Sequence, residues 1–139
     1  MKKLLSLCLL MALTTGASAA SVTVSGAWFR FLPAGLPAGG YFIAHNNGKT
    51  DLAITGAQSS ACGMLMLHQS SNKGGMSGMD MAEKVPLPAG STAKFTPGGY
   101  HLMCDQPKMK IGGTVPVVLQ LSDGTSVAVR FAVRNATGK

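Results

Sequence analysis

The sequence predicts an all-β domain of the antiparallel Greek-key barrel or sandwich kind. Three observations lead there. Apolar residues alternate with polar ones over short runs, the two-residue period of half-buried strands. Eight or nine such runs succeed one another, separated by turns rich in Gly, Pro, Asn and Asp, while helical periodicity is weak. The chain has 139 residues with 18 glycines and 7 prolines, which is one domain's worth with a modest core. No internal repeat or second domain interrupts it.

The first nineteen residues stand apart from that domain. Met1-Lys2-Lys3 is a basic start, Leu4 to Leu13 an apolar run, and Ala17-Ser18-Ala19 a small-residue cleavage site. This is the pattern of a secretory signal peptide, with an apolar run short of the about 20 residues a bilayer span needs. Cys8 lies inside the run after Leu7 and lacks the setting of a lipid-attachment cysteine. The expectation is cleavage after Ala19 and an exported, soluble domain over residues 20–139, without stable membrane insertion.

The strands follow in order. Ser21 to Ser25 alternates strictly, and Ala27 to Leu32 carries the single tryptophan, Trp28. Pro33 to Gly40 is a loop. Gly40 to His45 is rich in aromatic and β-branched residues, and Asn46-Asn47-Gly48-Lys49 is a turn. Asp51 to Ala57 is a further strand. Gly63 to His68 places Met64, Met66 and His68 on one face, with Leu65 and Leu67 on the core face. Residues 70–79 turn polar and Gly-rich, a flexible loop or hairpin. Lys84 to Leu87 and Thr92 to Phe95 flank a Pro88-Ala89-Gly90 turn, and Tyr100 to Cys104 follows the Pro97-Gly98-Gly99 turn. Thr114 to Leu121 and Ser126 to Arg134 flank Ser122-Asp123-Gly124-Thr125 as a hairpin, and Asn135 to Lys139 is a frayed tail.

Charge and composition exclude several functions. The formal net charge is +7, and the leader removes two lysines and no acid, so the exported domain remains mildly basic. Its basic residues are scattered without interleaved aromatics, which argues against nucleic acid and leaves a weak attraction to acidic surfaces. Five acidic residues, none paired by spacing, and no HExxH or nucleophile elbow argue against an enzyme.

What remains is a concentration of soft donors. Between His68 and Met103 lie two of the three histidines and four of the nine methionines. Imidazole with thioether selects Cu(I), and thioethers survive where thiols oxidise. His101-Leu102-Met103 is the sharpest element, because residues two apart on a strand share a face, so His101 and Met103 can reach one ion. Loop methionines Met76 and Met81 are auxiliary candidates. Met64 and Met66 read as packing residues, His45 as structural, and Met109 has no motif. Cys62 and Cys104 form an even pair, which in an oxidising compartment suggests a disulfide. Thiolate ligation is the rival, although strand parity turns Cys104 away from His101 and Met103.

The spacing His68, Met79, His101-x-Met103 resembles the signature of the PCu(A)C periplasmic copper chaperones. So do Ala27-Trp28-Phe29-Arg30, Pro37-Ala38-Gly39-Gly40-Tyr41-Phe42, Asn47-Gly48 and Pro97 to Met103. The resemblance covers the whole exported domain. It implies a cupredoxin-like Greek-key β-barrel and a solvent-near Cu(I) site with His68, Met79, His101 and Met103 as ligands. It also implies copper delivery to cytochrome oxidase, at its binuclear CuA site or together with Sco-type proteins. A periplasmic monomer is expected. Two rivals remain on the sequence: an electron-transfer cupredoxin, which needs a Cys thiolate beside its histidines, and a metal-free exported β-sandwich used for interaction.

Overall fold

The computed structural model describes residues 21–139, and all regular structure among them is β. Ten strands follow in order: β1 (Val22–Arg30), β2 (Ala38–Asn46), β3 (Leu52–Gln58), β4 (Met64–Lys73), β5 (Met76–Met81), β6 (Val85–Leu87), β7 (Thr92–Phe95), β8 (Tyr100–Asp105), β9 (Thr114–Leu121) and β10 (Ser126–Arg134). They hydrogen-bond in the order β5-β4-β8-β7-β2-β1-β10-β9-β3-β6, and β8 also pairs with β2. Only β1 with β10 and β7 with β8 run parallel. β3 packs on β4 and β6 lies beside β7, so the sheet rolls onto itself around one core. The expected leader, residues 1–19, lies outside the described residues.

The core is set by period-two side chains. Phe29, Phe42, Phe95 and Phe131 are almost fully buried. Phe42 stacks on Phe95 at 4.1 Å between centroids, and Phe131 reaches Phe29 at 5.0 Å and Phe42 at 5.7 Å. Each such side chain contributes roughly 1.5–3 kcal/mol by leaving water. Strands β1, β2 and β8 approach closely at Gly40, where an added Cβ would lie 2.7 Å from Phe29 and 3.0 Å from Leu102. Buried Asn46 closes the turn after β2: its amide donates to the carbonyls of Thr50 and Leu87, and its side-chain oxygen accepts from Gly48 N–H.

Two local expectations change and one is decided. Ser21–Ser25 and Ala27–Leu32 belong to one strand, β1, bent by a bulge between Ser25 and Trp28 where Gly26 has φ +60°. Of the two readings for residues 70–79, loop or hairpin, the structure has the hairpin. β4 continues to Lys73 and returns as β5 through Gly74-Gly75, whose φ values of +60° and +79° suit a two-residue hairpin turn. The tail is not frayed: Asn135 N–H donates to Lys139 O, while its side-chain oxygen accepts from Thr137 and Lys139 N–H.

Cys62 and Cys104 are joined in a disulfide, with Cα atoms 5.3 Å apart and a sequence separation of 42. Gly63 N–H bonds to Asp105 O, which ends the ladder and brings Cys62 back towards Cys104. The bond closes the segment that carries His68, Met79, His101 and Met103, which are the candidate ligands.

Candidate metal centre

The site is built by strand register. In the antiparallel β4·β8 ladder, Met66 stands opposite Met103 and His68 opposite His101. Leu67, Leu102 and Cys104 face the core between them, which leaves the imidazoles and thioethers on the outer face. On the far side of β4, Met81 stands opposite His68 and Met79 opposite Ser70. One row across three strands therefore reads Met81, His68, His101. Directly opposed residues have Cβ atoms about 4.5–5.5 Å apart, within reach of one ion for side chains of this length.

The two imidazole rings lie 5.7 Å apart between centroids with planes at 64°. His101 is 5 % exposed, and its Nδ1 lies 3.0 Å from the Gly99 carbonyl. That carbonyl can only accept, so Nδ1 carries the proton and donates, leaving the Nε2 lone pair bare. Nε2 of His101 is buried with no hydrogen-bond partner, and so are both ring nitrogens of His68. An unsatisfied buried polar atom costs about 1–3 kcal/mol. Unpartnered nitrogens on two imidazoles that stand opposite each other are the arrangement left when the missing partner is a metal ion. Burial first, and the neighbouring His101 second, push the His68 pKa below the ordinary imidazole value. Both effects favour the neutral ring, the form that binds metal.

A cavity of about 250 Å³ opens on this face, lined by His101, Met103, Met79, Ser70, Arg30 and Tyr41 among others. Arg30 and Tyr41, which line it, begin a row of cations and rings that continues beyond the cavity to Trp28 and Arg134. Arg30 hydrogen-bonds the Tyr41 hydroxyl and lies 5.2 Å over that ring. Tyr41 packs on Trp28 at 5.0 Å, and Arg134 lies 5.3 Å over Trp28. Gly39, opposite Met103 in the β2·β8 ladder, makes room for this row: a Cβ there would lie 2.6 Å from the Tyr41 hydroxyl.

Of the candidates read from sequence, His68, His101 and Met103 share one face of one ladder. Met79 lies on β5, not on a loop, and reaches the same cavity. Met81 is on that face too. Met76 pairs with Lys73 beside the turn and has the opposite strand parity, so it belongs to the other face of the hairpin. His45 is remote and bonds Thr92 Oγ1 at 2.8 Å. The disulfide lies behind the site, on the core side of β8. Sequence reasoning missed Arg30, whose signal was its parity with Trp28 on β1, and Tyr41, which only the β1·β2 register places beside it. It also set Met66 aside as packing, although the residue shares the parity of His68 and stands opposite Met103.

Known proteins give the same picture. A profile of the LpqE-like family, a lipoprotein family by its description, matches residues 22–133. A protein of Leifsonia xyli subsp. xyli (strain CTCB07) with a lipoprotein name, Lxx21020, is 35% identical over 128 residues, which covers 90% of this chain and 76% of that protein. The solution structure of CuI-DR1885 from Deinococcus radiodurans superposes with a TM-score of 0.69 at 29% identity, covering 89% of this chain and 85% of that one. The copper-bound PCuAC domain from PmoF2 shares the fold, with a TM-score of 0.70 at 19% identity over 86% of this chain and 97% of that one. With its fold and its profile match in agreement, the chain belongs to the LpqE-like, PCu(A)C family.

Proposed function

We propose that this chain is an exported Cu(I) carrier. It holds one ion with His68, His101, Met103 and Met79 and passes it to an acceptor protein by ligand exchange. The observation that carries the reading is the set of three buried imidazole nitrogens without hydrogen-bond partners, on one ladder with Met103 and beside Met79. The Cu(I)-loaded relative from Deinococcus radiodurans supports it. Export is supported by the leader pattern in residues 1–19 and by the lipoprotein name of the Leifsonia relative. A periplasmic location and an acceptor in cytochrome oxidase copper-site assembly, either an oxidase subunit or a Sco-type protein, follow from the family resemblance.

All four donors are neutral, so holding the ion needs no deprotonated side chain and binding releases little acid. Thioethers leave first when an acceptor offers thiolates, because thiolate is the stronger soft ligand. The copper stays monovalent and no electron moves. An electron-transfer cupredoxin would need a thiolate ligand, but Cys104 is bonded to Cys62 and faces the core. The test is Cu(I) stoichiometry with X-ray absorption on the wild type and His68→Ala. One ion per chain in a mixed nitrogen and sulfur shell, with one nitrogen lost in the variant, is expected. A shell without sulfur, or stoichiometry near zero, overturns the proposal.

A further inference from the structure

The outer face carries more thioethers than one four-coordinate ion can use. Met103 and Met79 serve the cavity that includes His101. Met66 and Met81 do not line that cavity, yet both neighbour His68: Met81 directly across on β5, Met66 two residues back on the same strand face. His68 stands between the two groups, opposite His101 on β8 and opposite Met81 on β5. Its two nitrogens are both buried and unpartnered, whereas His101 has Nδ1 tied to Gly99. No hydrogen bond fixes the His68 tautomer, so either ring nitrogen is free to bind an ion. Met81 is 66% exposed and β5 is the end strand of the sheet.

We infer that His68, Met81 and Met66 form a second Cu(I) position at the sheet edge, occupied in turn with the inner one and used as the exit for transfer. This rests on the proposed Cu(I) function of the same face. The ion leaves His101, Met103 and Met79 and gains the sulfurs of Met81 and Met66 while His68 stays bound. Only dative bonds exchange, the ion remains Cu(I), and the His68 proton stays on the ring nitrogen not bound to copper. Methionine suits this step because its unbranched side chain follows the ion without moving the backbone.

The test compares wild type with the double variant Met66→Leu/Met81→Leu, which keeps apolar volume. Each protein is loaded with one Cu(I), and transfer to bathocuproine disulfonate is followed by stopped flow beside an equilibrium competition. The inference expects equilibrium affinity within about threefold of wild type and a transfer rate lowered by about tenfold or more. An unchanged rate overturns it. An affinity loss as large as that of His101→Ala also overturns it, since both thioethers would then be resident ligands. Methyl-labelled methionine NMR on His101→Ala supplies a second reading: one Cu(I) should shift the Met66 and Met81 methyls, and shifts confined to Met79 and Met103 count against it. If wild type itself fails to bind Cu(I), the carrier function falls rather than this inference alone.

Discussion

The two ladders that flank His68 differ in almost every physical respect. On one side, β4·β8 is backed by core residues: Leu102 and Cys104 are fully buried, Leu67 nearly so, and a disulfide ties β8 to the start of β4. On the other side, every residue of β5 is exposed and the strand has no further neighbour in the sheet order. The same histidine thus joins a rigid element to one held by little beyond backbone hydrogen bonds. Local opening is easiest where few apolar contacts are buried. Under the proposed function, the difference teaches how one face would both hold an ion and release it: the imidazoles and Met103 sit on the preorganised ladder, while Met79 and Met81 ride on the part of the fold that opens most easily.

Four experiments break or sharpen that contrast. The largest effect is expected on the rigid side, where His101→Ala should weaken Cu(I) binding by about 100-fold or more, since loss of even an outer-shell partner costs about 10–100-fold. A competition titration against a Cu(I) chelator reads it. Next, replacing both cysteines with serine should cost about 2–4 kcal/mol of stability, a fall in Tm of about 10 °C by calorimetry. Because both cysteines lie behind β8 and none on β5, Cu(I) affinity should follow the folded fraction only. Met79→Leu, on the yielding side, should weaken Cu(I) by about tenfold and leave Tm within about 1 °C, as an exposed site predicts. A Tm loss like that of the cysteine pair would erase the distinction between the two ladders.

Acid gives the smallest and most selective effect. The His68 pKa is held below the ordinary imidazole value by burial first and His101 second. His68 therefore stays neutral as pH falls from about 7.5 past the free imidazole value near 6.5, and its bond to Cu(I) survives that interval. Below its own lowered value, protons compete and affinity falls by up to about tenfold per pH unit for that ring. The apo fold responds with the same sign. The unfolded chain takes up the proton first, so the contribution of His68 to stability is present above the ordinary value and is lost as pH falls through the lowered one. Chelator titrations from about pH 7.5 to 5 should give the same profile for wild type and Met79→Leu, because a thioether does not titrate.

Much of the ladder was legible in residue parity. Leu65 and Leu67 against Met66 and His68, and Leu102 and Cys104 against His101 and Met103, told which face was core before any coordinates. Parity does not give register, however. That His68 faces His101, and that Met66 faces Met103, depends on which strands pair, and β4 and β8 are separated by three other strands in the chain. β5 was hidden for a different reason. Met76-Ser77-Gly78-Met79-Asp80-Met81 buries no side chain, so no apolar period marks it as a strand, and only Gly74-Gly75 signals the turn that makes it one. The bulge at Gly26 broke one strand into two apparent runs because it shifts the alternation by a residue.

That end strand has a cost for the chain's own solubility. An unpaired strand edge offers its amide and carbonyl groups to any other extended chain, and neighbouring molecules can add to it. β5 answers through composition. Its six residues include no β-branched or aromatic side chain, Gly78 interrupts the middle, and Asp80 places a charge one residue before the strand's end. A short strand of weak β-propensity is a poor template for growth. The residues that leave it loosely held are thus the same ones that keep neighbouring copies from zipping edge to edge.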